Sequence, residues 1–395
     1  MSHSFAQQAI PYWRLSGFYF FYFAVVGTLI PFWGIYLKSL GYSSQDVGII
    51  SAIILATRII APNFWGWLAD HTQQRLRIIR LGSLAASIVF AGILLDQRYW
   101  WLVMVVSCYT FFWHAVLPQF EVITLGYLGN NYHRYSQIRL WGSLGFTAAV
   151  VGLGLVFDVI SIHYLPLFIL TFLILIWLSS LTLKDVSVKK TEGQRPNFLS
   201  LVFQPAILCF LAASFLLQLS HGPYYTFYTL YLVENHGYTR TATGLLWALG
   251  VLAEVAIFIV MHKLLHRFSL RALMLFSLLV TSLRWLLIAY GAESLAVLLF
   301  AQLLHACSFG VAHAVSIELV RTHFKGTNQG QAQAMYSSFS FGAGGAAGAL
   351  IGGLLWDYSA STTFLLAAIS VFVAFVLCYF WLHPVHDPVG DMTHE

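Results

Sequence analysis

Residues 41–58 read GYSSQDVGIISAIILATR, and residues 237–254 read GYTRTATGLLWALGVLAE. The second stretch starts 196 residues after the first, so two similar segments are separated by about half of the chain. The same offset aligns Arg58 with Glu254, which are charged residues inside otherwise apolar runs. A repeat of this length predicts two structurally related halves with ionisable groups in their interiors.

The composition predicts that lipid, rather than water, surrounds the chain. Of its 395 residues, 59% are hydrophobic and only 9% are charged, whereas soluble domains carry about 25% charged residues. The net charge of +5 comes from loops between apolar runs, so we expect no nucleic-acid partner. The four cysteines all lie in apolar runs and fit neither a disulfide framework nor a zinc site. The first apolar run is too long for a cleavable signal and predicts a signal anchor.

Twelve apolar runs are close to the length of about 20 residues that a membrane-spanning helix needs. They lie near residues 12–37, 45–68, 77–95, 99–126, 135–156, 161–182, 202–232, 240–262, 270–290, 294–320, 332–356 and 360–382. The least apolar connection follows the sixth run. We therefore predict an all-α membrane protein of two six-helix bundles, residues 1–183 and 201–395, joined by a cytoplasmic linker at 184–200. Bundles repeated in this way are typical of one large class of transporters.

The distribution of Lys and Arg predicts the orientation of the chain. If the N-terminus is cytoplasmic, the outer loops carry only Lys38, Arg98 and Arg240, and the other loop Lys and Arg residues are inside. The sequence thus predicts a multi-pass protein of the cytoplasmic (inner) membrane with both termini inside. We expect it to work as a monomer.

Several ionisable residues lie deep within the apolar runs. A charge at the centre of a bilayer costs at least about 2.5–3.5 kcal/mol, so such groups usually face the protein interior and have partners. His221, Glu254, Arg284 and His305 lie on four different runs of the second half. Their mixture of signs, with imidazoles whose unperturbed pKa is about 6.5, favours a functional role over packing.

Other deep residues also have structural explanations. Arg58 also fits a structural link to a neighbouring helix, and His114 fits a hydrogen-bonded core group. Glu121 and Arg139 lie at similar depth on consecutive helices, and we expect them to pair. Tyr228 lies on one face of its run with other tyrosines, a pattern that fits either core packing or the wall of a binding cavity.

The eleventh run carries glycines at every fourth position, Gly344, Gly348 and Gly352. This pattern permits close approach of a second helix. The same run contains a loose dinucleotide-binding pattern, but no strand precedes it. We therefore expect no cofactor. The sequence also lacks the common metalloprotease, serine-hydrolase and phosphate-loop motifs, which argues against an enzyme. A non-transporting sensor would need a folded cytoplasmic domain.

The segment Gly66-Trp67-Leu68-Ala69-Asp70, followed by Arg75, resembles the G-x-L-a-D-r-x-G-r-[KR] signature of the major facilitator superfamily. The match lacks the second glycine. Asp70 would lie at a helix end among basic residues and could close a cytoplasmic gate by charge pairing. The alternative is a positive-inside loop with one incidental carboxylate.

A broader resemblance covers most of the chain. Its residues are IPFWGIYLKSLGYS (30–43), IRLWGSLGF (138–146), LLWALGVLAEV (245–255), SLRWLL (282–287) and QLLHACSFGVAH (302–313). These stretches resemble the lactose-permease-like branch of the superfamily, and most closely the bacterial 3-phenylpropionate permeases. The resemblance implies the major facilitator fold and a transporter that works by alternating access.

The resemblance also implies roles for individual residues. In lactose-permease-like proteins, the residues that match Glu121, Arg139, Glu254, Arg284 and His305 bind substrate and couple it to a proton. The proton-carrying Glu of that branch is replaced here by Ser308, and a nearby Lys by Gln302. The proton route must therefore differ, with Glu254, His305 or His221 as candidate carriers.

We accordingly predict proton symport of a small aromatic carboxylate, with symport of a sugar or nucleoside as the alternative. The partners are the substrate, protons and the lipid bilayer, without a metal or cofactor. The predicted substrate-binding residues are Arg58, Arg139, Trp141, His221, Tyr228 and Glu254; the proton-coupling residues are Glu121, Glu254, Arg284 and His305; the gating residues are Gly66, Asp70 and Arg75.

Overall fold

A computed structural model describes residues 10–186, 198–324 and 328–382. Within these ranges, twelve helices are long and apolar enough to cross a membrane, and no strand is present. They are α1 (Tyr12–Ser39), α2 (Ser44–Thr72), α3 (Arg75–Leu94), α4 (Tyr99–Leu128), α5 (Asn131–Val159), α6 (Ile162–Leu181), α7 (Pro205–Asn235), α8 (Arg240–Arg267), α9 (Leu270–Gly291), α10 (Leu295–His323), α11 (Asn328–Trp356) and α12 (Ala360–Trp381). A short helical segment, Phe198–Val202, precedes α7. The prediction of twelve spans is confirmed.

The repeated stretch forms the same local structure twice. Gly41 and Gly237 both have positive φ, 87° and 69°, a conformation that glycine adopts without steric cost. Each lies in the short loop that leads into a helix, α2 after the first and α8 after the second. Ser43 then caps α2 through a hydrogen bond from the Asp46 backbone N–H. The aligned glycines thus mark equivalent helix entries.

The described residues group into two compact units. The first contains α1–α6 together with Tyr228–Ala248, and the second contains the remaining parts of α7 and α8 together with α9–α12. Much of the predicted linker, residues 187–197, lies outside the described residues. The boundaries at 183 and 201 therefore stay a prediction.

Glycines allow the backbones of two helices in the first unit to approach each other closely. α1 packs extensively against α5. A Cβ atom on Gly27 would lie 2.6 Å from the carbonyl oxygen of Phe146, and one on Gly145 would overlap the carbonyl oxygen of Phe20. The two backbones can approach this closely only because both positions lack a side chain.

The second unit contains an equivalent glycine contact between α11 and α7. A Cβ on Gly344 would lie 2.6 Å from the Phe215 carbonyl oxygen, and one on Gly348 would overlap that of Leu219. Gly352 continues the same face, against the ring of Phe227. The predicted helix-packing face of the eleventh span is confirmed.

Candidate functional site

In the second unit, the Glu254 carboxylate of α8 lies next to the His305 imidazole of α10. Glu254 Oε2 is 3.7 Å from His305 Nε2, with side-chain exposures of 20% and 7%. Two glycines, Gly250 and Gly310, lie beside this contact. A Cβ on Gly250 would lie 3.3 Å from the His305 ring, and one on Gly310 would lie 3.4 Å from Glu254 Cγ. The structure therefore brings together two of the predicted proton-coupling residues.

Arg284 of α9 belongs to the same cluster and is fully buried. Its guanidinium donates hydrogen bonds to the Ala301 carbonyl at 3.0 Å, the Gln302 side-chain oxygen at 3.1 Å and the Ser308 hydroxyl at 3.3 Å. The ring of Trp285 lies 4.5 Å from it. Arg284 forms no ion pair with any residue that the structure describes. The third predicted proton-coupling residue thus binds neutral groups on α10.

His221 of α7 packs directly against these residues. It is completely buried, and its ring centroid lies 6.5 Å from that of His305 and 4.9 Å from that of Trp285. His221 Nδ1 is 2.8 Å from the Leu217 carbonyl oxygen, so it carries a proton and donates it. Nε2 is left without a hydrogen-bond partner among the described residues. His221 therefore belongs to the same cluster as the predicted proton-coupling residues.

A turn of π-helix follows His305, over residues 306–311. Such turns are rare and often occur at functional sites. Across this turn the rings of His305, Phe309 and His313 stack in a row, with centroid distances of 5.5 Å and 5.9 Å.

The sequence suggested Tyr224 only as one of the tyrosines of a possible cavity wall, and it predicted no role for Trp285. The Tyr224 hydroxyl donates to Gln302 Oε1 at 3.2 Å, and its ring lies 4.4 Å from the Arg284 guanidinium. Trp285 donates from Nε1 to the Ser220 hydroxyl at 3.0 Å. For Trp285 the available signal was its position next to Arg284 in the sequence, because a buried guanidinium favours aromatic faces.

In the first unit, the Arg139 guanidinium of α5 lies over an aromatic wall on α1. It is 3.8 Å from the ring centroid of Phe23 and 5.8 Å from that of Tyr19. The expected ion pair with Glu121 is not formed. The Glu121 carboxylate instead accepts a hydrogen bond from the Tyr135 hydroxyl at 3.3 Å. Arg139 stacks on Phe23 because Gly142 leaves the space beside its guanidinium free of a side chain.

Trp141 lies away from this wall. Its indole N–H donates to the Tyr12 hydroxyl at 3.0 Å, at the beginning of α1, and its ring packs on Trp13. Residues two positions apart on a helix point in nearly opposite directions. The structure thus does not bring Trp141 together with Arg139.

Arg58 and Tyr228 have separate surroundings in the first unit. Arg58 Nε lies 3.4 Å from His114 Nε2, and Thr57 is 3.0 Å from the other nitrogen of that ring. This geometry agrees with the interpretation of Arg58 as a tie between helices. Tyr228 is fully buried, with its ring edge-on to Trp247 at 5.7 Å.

The three predicted gating residues lie around the loop between α2 and α3. Arg75 forms an ion pair with Asp70 and also donates to the side-chain oxygen of Gln119 on α4. A Cβ on Gly66 would lie 3.8 Å from the Gln119 amide. The side chain of Gln119 therefore links this loop to α4.

Gln73 has φ of 55° and is the only non-glycine residue with positive φ in the described part of the chain. It stands where the superfamily signature has its second glycine. A left-handed conformation costs a residue with a side chain about 1–2 kcal/mol. The missing glycine thus leaves strain at the end of α2.

We expect replacement of Gln73 with Gly to stabilise the protein by about 1 kcal/mol, because glycine adopts this conformation without penalty. The measurement is the thermal unfolding midpoint of the purified protein. The adjacent Gln74→Gly variant is the matched control, since Gln74 has φ of −113° and should give no increase. Equal midpoints for wild type and the Gln73 variant would contradict the prediction.

No group of three His, Cys, Asp or Glu residues suited to a metal ion is found within the described ranges.

Comparison with known proteins gives the family and the fold. A model of the MFS_1 like family matches residues 12–366. A probable 3-phenylpropionic acid transporter of Escherichia coli (strain K12) is 29% identical over 372 residues, which cover 91% of this chain and 95% of that protein.

A maltose permease of Geobacillus stearothermophilus is 26% identical, covering 86% of each chain. Among solved structures, that of the nucleoside transporter NupG superposes with a TM-score of 0.83 over 94% of this chain and 99% of that one, at 17% identity. This likeness confirms the predicted major facilitator fold. The relatives are transporters, so the interpretation as a transporter and not an enzyme is also confirmed.

Proposed function

The chain belongs to the MFS_1 like family of membrane transporters, and from this premise we propose that it carries a small aromatic carboxylate together with protons. The observation that supports proton coupling most directly is the contact between Glu254 and His305. A carboxylate 3.7 Å from an imidazole forms a pair that can hold or release a proton as its surroundings change.

The aromatic wall at Arg139 supports the choice of substrate. A guanidinium held against a ring, and without a carboxylate in ion-pair distance among the described residues, matches a ligand that carries both an aromatic ring and an acid group. Arginine binds carboxylates through two parallel N–H groups, and ring faces favour a second ring. The relative named as a probable 3-phenylpropionic acid transporter belongs to the same substrate class. We assign the carboxylate to Arg139 in preference to Arg58, because the Arg58 Nε already donates to His114.

Alternating access couples the two ligands. Inward-open and outward-open states differ by a modest free energy, and each ligand shifts that equilibrium only by its differential affinity for the two states. In our proposal, a proton on Glu254 and an anion at Arg139 favour the transition together. Protons moving down their gradient then drive substrate into the cell.

We propose that the protein acts as a monomer in the cytoplasmic membrane, with both termini inside. We also propose that the ion pair between Asp70 and Arg75 contributes to the cytoplasmic gate.

The second candidate is proton symport of a sugar or nucleoside by the same residues. The maltose permease relative, at 26% identity, favours the sugar.

The test is uptake by the purified protein in liposomes with an imposed proton gradient. We expect gradient-dependent accumulation of 3-phenylpropionate, competed by other small aromatic acids and unaffected by maltose or nucleosides. Accumulation that collapses when a protonophore is added establishes the coupling. The opposite result is that the liposomes accumulate a sugar or nucleoside but take up no 3-phenylpropionate under a proton gradient. That result would favour the second candidate, symport of a sugar or nucleoside.

A further inference from the structure

The side chain of Arg284 is a buried positive charge that its hydrogen-bond partners do not neutralise. All three acceptors are neutral: a backbone carbonyl, an amide oxygen and a hydroxyl. Neutral dipoles satisfy the N–H groups, but a charge removed from water remains costly without an opposite charge close by. Glu254, the acid of this cluster, lies against His305 instead.

Ser308 occupies the position beside this cation on α10. Its hydroxyl accepts a hydrogen bond from the Arg284 guanidinium at 3.3 Å. Because a serine carries no charge, this contact does not neutralise the arginine.

Two polar atoms on α10 in the same cluster have no hydrogen-bond partner among the described residues. Gln302 is fully buried, and its Oε1 accepts from both Arg284 and Tyr224. Its amide Nε2, which can donate two hydrogen bonds, has no partner among the described residues, and neither does His305 Nδ1. Buried donors without partners are rare in proteins, and each calls for a ligand or another explanation.

We propose that Arg284 and Gln302 form a binding centre for a small anionic group, either a free halide ion or, in place of Arg139, the carboxylate of the transported substrate. The guanidinium supplies the charge, and the Gln302 amide supplies hydrogen bonds that nothing else in the described structure uses. The surroundings are completely buried, which favours a single ion or one carboxylate over a larger anion. If the bound anion is the substrate's carboxylate, the proposal rests on the proposed function. If the bound anion is a halide, it does not.

The test is anion binding to the purified full-length protein in detergent, in a buffer whose only anion is a bulky sulfonate. Sodium chloride and sodium 3-phenylpropionate are titrated by calorimetry, first separately and then 3-phenylpropionate against the chloride-loaded protein, without any proton gradient. We expect saturable binding to the wild type. In the Ser308→Asp variant we expect at least tenfold weaker binding, because the new carboxylate takes the place of the anion beside Arg284.

Ser316→Asp is the matched control. It adds the same acid at a buried serine eight residues further along α10 and should leave binding unchanged. Gln302→Met is a second test, should Ser308→Asp fail to fold, and is expected to weaken binding severalfold by removing the amide. Binding of chloride that 3-phenylpropionate does not displace identifies a halide centre, and displacement identifies the substrate's carboxylate. No saturable binding of either anion, or equal binding by wild type and both site variants, would overturn the proposal. Halide binding without gradient-driven uptake would refute the proposed function alone.

Discussion

Replacing Glu254 with Gln is expected to abolish proton-driven accumulation while sparing substrate exchange. Glutamine keeps the size of the side chain and its polar contact with His305 but cannot exchange a proton. An imposed difference of one pH unit supplies about 1.4 kcal/mol per proton, enough for roughly tenfold accumulation with one coupled proton. The variant should therefore equilibrate the substrate at equal concentrations inside and outside. Uptake and counterflow in the same liposomes measure the two activities.

The Glu254→Asp variant is the matched control for this experiment. It retains an acid that can be protonated, and we expect reduced but gradient-dependent accumulation. Exchange by the Gln variant shows that the protein is folded and binds substrate. Undiminished accumulation by the Gln variant would remove Glu254 from the proton route and leave His305 or His221 as the carrier.

The second-half cluster illustrates what the sequence can and cannot predict about a site. Depth within apolar spans singled out His221, Glu254, Arg284 and His305, because charges in a bilayer are costly wherever they occur. The contacts among them could not be predicted in the same way. They depend on how each helix is rotated and on the π-helical turn after His305, which changes the angular positions of all later residues on α10.

The first half shows a different limit. Similar depth predicted that Glu121 and Arg139 would pair, yet Arg139 stacks on Phe23 and Glu121 bonds Tyr135. Depth fixes only the height of a residue along the membrane normal. Two side chains at one height still point in directions that local packing decides, here the absence of a side chain at Gly142.

The twelve spans, by contrast, were predictable because every helix that crosses a bilayer needs about 20 predominantly apolar residues. The repeat added more, since Gly41 and Gly237 mark the same left-handed turn before α2 and α8. Gly344, Gly348 and Gly352 predicted a packing face correctly, because only small residues permit backbones to touch.

Replacing Arg139 with Gln is expected to weaken the apparent affinity for 3-phenylpropionate by about tenfold to a hundredfold. A hydrogen bond to a charged group contributes about 1.5–3 kcal/mol, and every 1.4 kcal/mol corresponds to roughly a factor of ten. The variant loses the charge but retains the aromatic wall of Phe23 and Tyr19. We therefore expect unchanged affinity for the uncharged amide 3-phenylpropanamide, measured as competition for counterflow. The ratio of the two affinities isolates the carboxylate contact from general damage to the protein.

Arg58→Gln is the matched control, because Arg58 is the other arginine of the first unit that the sequence offered as a carboxylate ligand. Its Nε lies 3.4 Å from His114, so its removal should lower stability more than it changes the preference for acid over amide. If that variant alone lost the preference, the carboxylate would belong to Arg58. If both variants retained it, the second unit would have to hold the acid group, and Arg284, the buried cation that forms no ion pair with a described residue, would be its ligand. The acid-to-amide ratio thus assigns the substrate's charge to one of three arginines by direct comparison.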